Sequence, residues 1–208
     1  MKLKICGMND QKNTFSISSL QPDFFGFIFW KDSKRYCENV MEAIPDSIKK
    51  VGVFVDADYN EIVNKIILHQ LDFVQLHGNE SPDFCFQIKK TNSKVIKAIT
   101  VTNEFNFNTL NEYINYVDYF LFDTKGELPG GNGIPFDWEI LKDYNQDIPY
   151  FLSGGISLEV LPKLEKFLQS KAAQNCFAID INSRFEDKPG IKNKKRIKEF
   201  KEKLKQLR

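Results

Sequence analysis

The chain has 208 residues, of which 42% are hydrophobic and 27% are charged, and its formal net charge is +1. This ordinary globular mixture excludes intrinsic disorder and a fibrous chain, and it indicates one domain over residues 1–208. The near-neutral charge argues against nucleic acid as a partner, and no apolar stretch approaches the roughly 20 residues that a membrane helix requires.

The cysteines and the first residues indicate where the protein works. Cys6, Cys37, Cys85 and Cys176 lack the paired spacing of a zinc site and are too scattered for a disulfide scaffold. The first residues run directly into strand-like sequence instead of a signal peptide. We therefore expect a cytoplasmic protein with reduced thiols and with neither membrane contact nor a bound metal.

Eight short β-rich runs follow one another along the chain. Most are continuous apolar runs without polar alternation, as expected for parallel strands that are buried on both faces. They are Lys2–Cys6, Phe24–Phe29, Lys50–Val55, Phe73–Leu76, Val95–Ile99, Tyr119–Asp123, Tyr150–Ser153 and Phe177–Ile181.

A helix-compatible segment follows each of these runs. Helix start signals occur at Asn9, at Ser81 before a proline, near Asn103, and at Ser157 before an expected helix over 158–168. The pattern is weakest in the second helical segment, over 40–44. We therefore predict that the chain alternates strand and helix throughout.

The lysine-rich C-terminal stretch also has a helical pattern. Apolar residues recur there at helical spacing between lysines, which predicts an amphipathic helix with a solvated face and argues against a nucleic-acid-binding tail. These apolar residues are Ile197, Phe200, Leu204 and Leu207.

Eight β/α units in a chain of this length fit either a closed barrel or an open doubly wound sheet. An open sheet of the dinucleotide-binding type has a glycine-rich turn after its first strand, and the sequence that begins Cys6-Gly7 lacks that pattern. The predicted fold is therefore of the α/β class, a closed eight-stranded parallel (β/α)8 TIM barrel with outer helices.

Function in such barrels lies at the carboxyl ends of the strands, and the last two predicted strands end in candidate phosphate ligands. Gly154 and Gly155 precede a helix start, and Asp180 and Ser183 follow the eighth strand. Backbone N–H groups exposed by glycine can bind a phosphate without a lysine. The alternative is that the two glycines only form a tight turn.

Two other strand ends carry groups suited to proton transfer. Cys6 ends the first strand, where a thiolate would act as a base, although a buried cysteine is commonly just a small apolar residue. Asp123 ends an apolar strand, a setting that favours the protonated carboxylic acid needed to protonate a leaving oxygen. The alternative for Asp123 is that it caps the following turn.

Further candidates lie in loops. Arg35 follows the second strand and could bind a carboxylate through two parallel hydrogen bonds, although it could also be an ordinary surface arginine. His77 could line the pocket, but a histidine satisfied within its turn is the simpler interpretation. A loop containing Gly130, Gly131 and Gly133 would suit a cover over a ligand.

Taken together, the strand ends resemble phosphoribosylanthranilate isomerase over almost the whole chain. The matching motifs are Lys4-Ile-Cys-Gly-Met8, Gly26-Phe-Ile-Phe29 with Ser33-Lys-Arg35, Val51-Gly-Val-Phe-Val55, Val74-Gln-Leu-His-Gly78, Asp123-Thr124 with the glycine-rich loop and Phe136-Asp-Trp138, Ser153-Gly-Gly-Ile156 and Asp180-Ile-Asn-Ser183. Their order and spacing make the set much more specific than any single motif.

The resemblance implies a cofactor-free Amadori rearrangement of a small phosphosugar substrate in tryptophan biosynthesis. It assigns Cys6 as the general base, Asp123 as the general acid and Arg35 as the group that holds the anthranilate carboxylate. Gly154, Gly155 and Ser183 match its phosphate-binding motifs. This chain departs from the family at Arg184, which stands where a glycine is usual beside the phosphate.

Two alternatives remain open on the sequence. One is the histidine-pathway isomerase, which performs the same rearrangement but usually with two aspartates, so Cys6 argues against it. The other is a catalytically silent barrel that only binds phosphate ligands, which the presence of both Cys6 and Asp123 disfavours. The sequence is compatible with a monomer or a homodimer.

Overall fold

A computed structural model describes residues 1–124 and 137–207 of the chain. Eight parallel strands pair in chain order, and the first strand also pairs with the eighth, which closes the barrel. The strands are β1 (Lys2–Cys6), β2 (Phe24–Ile28), β3 (Lys49–Phe54), β4 (Phe73–Leu76), β5 (Lys94–Val101), β6 (Tyr119–Thr124), β7 (Tyr150–Leu152) and β8 (Cys176–Ile181). The predicted closed barrel is confirmed.

The connections between the strands are less regular than predicted. Five α-helices are described. The connections after β5 and after β6 contain 3-10 helices instead of α-helices, at Phe107–Tyr113 and at Trp138–Asp143. The α-helices are α1 (Gln11–Ser18), α2 (Tyr59–His69), α3 (Pro82–Lys89), α4 (Leu161–Leu168) and α5 (Lys194–Gln206). Among the described residues, no helix is both long enough and apolar enough to cross a membrane.

The segment over 40–44 forms no helix, so the expectation of strict alternation is wrong there. Ala43 has the left-handed φ of 55°, which interrupts a right-handed helix. Pro45 follows two residues later, and a proline disfavours helical backbone in the residue before it. The chain instead passes from β2 to β3 through turns.

Some predicted helix starts are confirmed and others are displaced. Ser81 caps α3, its hydroxyl accepting a hydrogen bond from Phe84 N at 3.2 Å, as predicted. The cap of α1 is Asp10 instead of Asn9. The start of α4 at Leu161 lies three residues beyond the predicted start, because Pro162 is tolerated only in the first turn of a helix.

The C-terminal region contains the predicted amphipathic helix and one unpredicted element. In α5, Ile197, Phe200 and Leu204 are buried against the barrel, whereas Leu207 follows the helix and is partly buried. Before α5, a two-stranded antiparallel hairpin is formed by β9 (Glu186–Lys188) and β10 (Ile191–Lys192). This hairpin follows β8 and therefore lies on the side of the barrel where the strands end.

The barrel interior changes character along each strand. Its lower part is an apolar cluster of Phe24, Val51, Phe73, Ile96, Ala98, Leu121, Phe151 and Ala178. Because side chains alternate between the two faces of a strand, the next interior positions after Phe73 are Gln75 and His77. The next interior position after Leu121 is Asp123. The closed apolar floor thus supports a polar layer at the carboxyl ends of the strands.

Gly26 gives the end of β1 the space that it needs. It lies in register with Cys6 on the neighbouring strand, and its carbonyl accepts hydrogen bonds from Gly7 N and Met8 N. A Cβ atom at residue 26 would lie 2.7 Å from Cys6 Sγ and 3.0 Å from Cys6 Cα. A larger residue there would therefore displace the cysteine.

We expect Gly26→Ala to lower the free energy of unfolding by about 1–3 kcal/mol, because the added methyl group overpacks the contact with Cys6. Urea unfolding of the single and double variants measures the effect. In the Cys6→Ala background the sulfur contact is gone, so the same substitution should cost less. An equal loss in both backgrounds would show that the sulfur is not the obstacle.

Candidate active site

A cavity of about 320 Å³ opens at the carboxyl ends of the strands, directly above the apolar floor. Every residue that the sequence analysis proposed for the site lines it: Cys6, Arg35, His77, Asp123, Gly154, Gly155, Asp180 and Ser183. They come from both ends of the chain and from strands on opposite sides of the barrel. The closed fold therefore assembles one site from them.

Cys6 is the last residue of β1 and is only 5% exposed, yet its side chain borders the cavity. Burial raises the pKa of its thiol above the ordinary value, the ammonium groups of Lys4 and Lys192 oppose that rise, and Asp180 adds to it. The cysteine is thus buried, as the simple apolar interpretation expects, and also surrounded by charges that act on its ionisation.

Asp123 divides its two carboxylate oxygens between structure and cavity. Oδ1 accepts a hydrogen bond from Thr124 N at 2.8 Å, which is the turn-capping role that the sequence left open. Oδ2 lies 3.4 Å from His77 Nε2. The second oxygen therefore remains directed toward the histidine and the cavity, so capping and chemistry are compatible for this residue.

His77 lies on the cavity wall with both ring nitrogens near partners. The side-chain amide nitrogen of Gln75 lies 2.9 Å from Nδ1, so when this amide donates, the ring proton is on Nε2 and faces Asp123. The simpler interpretation, a histidine satisfied within its own turn, is correct for Nδ1. It omits the contact with Asp123.

Arg35 is held by a carboxylate of the protein itself. Its Nε donates to Glu186 Oε1 at 2.9 Å and to Oε2 at 3.0 Å, and its Nη2 donates to Oε2 at 2.7 Å. Gly7, with a φ of +77°, allows this approach, since a Cβ atom there would lie 2.7 Å from Arg35 Cδ. The interpretation of Arg35 as an ordinary surface arginine is therefore wrong.

The sequence analysis missed Glu186 and Lys192, which do not line the cavity themselves but contact the lining residues Arg35 and Asn182. Lys192 Nζ contacts Glu186 Oε1 and Asn182 Oδ1, both at 2.7 Å. Burial alone would raise the pKa of Glu186, but hydrogen bonds and charges from Arg35 and Lys192 bring it below the ordinary value. The Pro189-Gly190 pair is a turn signal that could have revealed the hairpin carrying both residues.

Gly154 and Gly155 form the opposite wall of the cavity. Both have left-handed backbone, with φ values of +84° and +67°. At Gly154 a Cβ atom would lie 2.5 Å from Thr124 Cγ2 and 3.0 Å from Asp123 Oδ1, so the glycine is required sterically as well. The two residues do form a tight turn, but the expected helix start does not follow them directly, because α4 begins at Leu161.

Ser183 and Arg184 follow β8 in a 3-10 helix over Ser183–Phe185, and both line the cavity. Arg184 is exposed and is not among the residues with positive φ. The backbone there does not need a glycine, so the exchange of the family's usual glycine for Arg184 leaves the local conformation regular. The guanidinium is added to the rim of the cavity.

Asp180 lies in the cavity wall, but its side chain belongs to an ion pair. Its Oδ2 accepts a hydrogen bond from Lys4 Nζ at 2.8 Å, and the two side chains are 5% and 0% exposed. A carboxylate repels phosphate, so the expectation that this side chain contributes to an anion site needs correction. Lys4 was missed, although a lysine inside an apolar strand, two residues before Cys6, is a signal for an interior charge.

The proposed cover loop with Gly130, Gly131 and Gly133 lies outside the described residues.

Comparison with known proteins places the whole chain in one family. The model of the N-(5'phosphoribosyl)anthranilate (PRA) isomerase family matches residues 3–203. The N-(5'-phosphoribosyl)anthranilate isomerase of Parabacteroides distasonis is 40% identical over 206 residues, which cover 96% of this chain and 91% of that protein.

Two solved structures agree with this match over their full length. The phosphoribosyl anthranilate isomerase of Thermus thermophilus superposes with a TM-score of 0.83 at 26% identity, covering 100% of both chains. A phosphoribosyl anthranilate isomerase in complex with reduced 1-(O-carboxyphenylamino)-1-deoxyribulose 5-phosphate has a TM-score of 0.79 at 29% identity and 99% coverage of both chains. The chain belongs to the N-(5'-phosphoribosyl)anthranilate isomerase family.

Proposed function

We propose that the cavity carries out the isomerisation with Cys6 as general base and Asp123 as general acid. The activity itself, isomerisation of N-(5'-phosphoribosyl)anthranilate in tryptophan biosynthesis, follows from family membership. The family match favours this activity over the two alternatives, the histidine-pathway isomerase and a silent barrel. One observation supports the roles of the two residues: both border the same cavity, between candidate anchors for the two charged ends of the substrate.

The reaction requires two proton transfers at neighbouring atoms. Asp123 gives its proton to the furanose ring oxygen, the bond from that oxygen to the first sugar carbon breaks, and the nitrogen lone pair forms the C=N bond of a Schiff base. The Cys6 thiolate then takes the proton from the second sugar carbon, and the electron pair forms the C=C bond of an enolamine. This enolamine tautomerises to the ketone, and proton exchange with water returns Asp123 to the acid and Cys6 to the thiolate before the next turnover.

The acid is placed by contacts that also control its orientation. Thr124 N fixes Oδ1 of Asp123, which leaves Oδ2 as the oxygen that can carry and deliver a proton. His77 Nε2, 3.4 Å from Oδ2, can donate to the carboxylate that remains after the proton has left. His77 is therefore proposed to support Asp123, and to contact the substrate from the cavity wall.

The phosphate is proposed to bind on the wall formed by Gly154, Gly155 and Ser183. In the described residues no backbone acceptor is found for the N–H groups of Gly154 and Gly155, so these N–H groups can donate to phosphate oxygens. The rim guanidinium of Arg184 adds a positive charge near them. Asp180 takes no part in phosphate binding in this scheme, since its charge is of the wrong sign.

The anthranilate carboxylate is proposed to bind Arg35. Glu186 uses Nε and one hydrogen of Nη2, which leaves N–H groups on the terminal nitrogens of the guanidinium for a second carboxylate. Apolar side chains of Ile28, Trp30 and Val53 line the same cavity and suit the aromatic ring. The solved relative that binds a carboxyphenylamino sugar phosphate supports a ligand of this class.

The oligomeric state of the chain, a monomer or a homodimer, stays a prediction.

We expect Cys6→Ala and Asp123→Asn each to lower kcat by at least about 10²–10⁴-fold, because each removes one of the two proton-transfer groups. Turnover is followed by the decay of anthranilate-type fluorescence when protein is added to phosphoribosylanthranilate generated in place. Circular dichroism and urea unfolding show whether each variant is folded.

Cys176→Ala is the matched control for this test. Cys176 is the first residue of β8 and is absent from the cavity lining, so its loss should leave kcat within about twofold of the parent. Turnover near the parent rate in a folded Cys6→Ala or Asp123→Asn protein would contradict the assignment of that residue.

We expect Arg35→Ala to raise KM about 10- to 100-fold with a smaller effect on kcat, because the carboxylate loses charge-assisted hydrogen bonds. Steady-state kinetics measure both constants. Inhibition by ribulose 5-phosphate, which has the phosphate but no carboxylate, should be nearly unchanged.

Lys31→Ala controls for the loss of a positive charge from the same loop, since Lys31 is exposed and lies outside the cavity lining. Its KM should match that of the parent. If Arg35→Ala weakened the binding of ribulose 5-phosphate as much as the binding of the full substrate, Arg35 would not be the carboxylate ligand.

A further inference from the structure

A charged pair joins the cavity wall at Asp180 to Lys4, which lies in the apolar part of the barrel below. Lys4 is two residues before Cys6 on β1, so both side chains point into the barrel. Its neighbour in register on β2 is Phe24, a member of the apolar floor, and its neighbour on β8 is Asp180. The Lys4 side chain is 0% exposed and its Nζ lies 2.8 Å from Asp180 Oδ2.

The Lys4 ammonium group has a second partner besides the carboxylate. Lys4 and Cys6 are neighbours on the inward face of β1, so the positive charge of the ammonium group acts on the Cys6 sulfur. Asp180, in turn, leaves Oδ1 buried and without a hydrogen-bond partner among the described residues. The lysine therefore lies between a carboxylate and a sulfur that both belong to the cavity wall.

Stability alone is a poor explanation for this pair. Taking two charges out of water is costly, and replacing a buried ion pair with apolar residues of similar volume is often neutral or stabilising. The surrounding floor is already built of phenylalanine, leucine, isoleucine and valine. A charged pair in this position is better explained by what its ammonium group does to Cys6.

We propose that Lys4, held by Asp180, is a positioning residue that keeps its ammonium group against the Cys6 sulfur and favours the charged, basic form of this thiol. The inference deepens the proposed function, because it rests on Cys6 acting as the base. Lys4 itself touches no substrate in this scheme and acts through the cysteine.

Charged groups reach the sulfur from several elements, and their effects are distinguishable. From β1 Lys4 favours the thiolate, from β8 Asp180 disfavours it, and from β10 Lys192 favours it. The charge of Lys192 is already compensated by Glu186 at 2.7 Å, and Glu186 also holds Arg35.

Burial of the sulfur opposes the effect of the two ammonium groups, because it favours the neutral thiol. Across the cavity, His77 and Asp123 face each other. The strand beside Cys6, β2, contributes only Gly26 at this level.

The two ends of the ion pair therefore have opposite effects on Cys6. Lys4→Met removes the cation that favours the thiolate, so the pKa of Cys6 should rise. Asp180→Asn removes the anion that disfavours it, while the asparagine side-chain oxygen can still accept the hydrogen bond that holds Lys4 Nζ in place, so the pKa of Cys6 should fall. If the pair had a purely structural role, breaking it from either end would have the same kind of effect on the pKa of Cys6.

The test measures the rate of Cys6 alkylation by iodoacetamide as a function of pH, in the absence of substrate, with peptide mass spectrometry to quantify the labelled residue. Iodoacetamide is small and neutral, and only the thiolate reacts with it. At a fixed pH on the rising limb, Lys4→Met should react at least about tenfold more slowly than the parent. Asp180→Asn should react faster than the parent at the same pH.

Opposite displacements of the two rate profiles along the pH axis support the proposal. Profiles that do not move, or that move in the same direction, overturn it. If Lys4→Met fails to fold by circular dichroism, Asp180→Asn decides alone: a profile moved to lower pH supports the proposal, and an unchanged or raised profile overturns it.

Because substrate is absent, this outcome is independent of whether Cys6 is the catalytic base. The rising limb of kcat/KM against pH, measured on the same variants, should move with the alkylation profile if both proposals hold. A kcat/KM limb that stays in place while alkylation moves would contradict the role of Cys6 as base and leave the action of Lys4 on the sulfur established.

Discussion

Closure of the barrel between β1 and β8 is the constraint on which the site depends. The two strands pair in parallel with Lys4 opposite Asp180 and Ile5 opposite Ile181. Residues in register on parallel strands point to the same side, so closure turns both charged side chains inward together. Neither charge would be compensated in an open sheet, where β1 and β8 would be separate edges. The surroundings of Cys6 are thus produced by pairing the two ends of the chain.

The alternation of side chains along each strand determines what stands above the closed floor. On several strands an apolar interior residue is followed, two positions later, by a polar one, as with Leu121 and Asp123. Both groups assigned to proton transfer therefore stand on rigid strands. The groups assigned to the charged ends of the substrate, Arg35 and Gly154, lie in the loops that follow. The reacting groups are therefore placed precisely by the strands, whereas the loops that bind the charged ends of the substrate are free to differ between relatives.

The parts of the molecule that depend on local pattern were predictable from the sequence. Eight apolar runs of strand length were sufficient for the barrel, and the polar residues at their ends identified the cavity lining. The start of α4 was mispredicted although Pro162 carried a local signal. The partnership of Arg35 with Glu186 had no local signal, because it joins residues 151 positions apart through a hairpin whose path is set by the folded barrel.

In the proposed binding scheme, the ion pairs also control where each of the two anionic groups of the substrate binds. A free cation beneath a cavity that receives a substrate with both phosphate and carboxylate would attract either group and permit a reversed orientation. The carboxylate of Asp180 compensates the charge of Lys4, so the lysine attracts anions in the cavity only weakly. At short range its ammonium group still acts on Cys6. Glu186 holds Arg35 in one orientation and reduces its long-range attraction. The proposed phosphate site then consists of backbone N–H groups on the opposite wall, which bind an anion only at contact distance, with the guanidinium of Arg184 at the rim. In this proposal the orientation of the substrate follows from short-range recognition, because Lys4 and Arg35 are already paired with carboxylates of the protein.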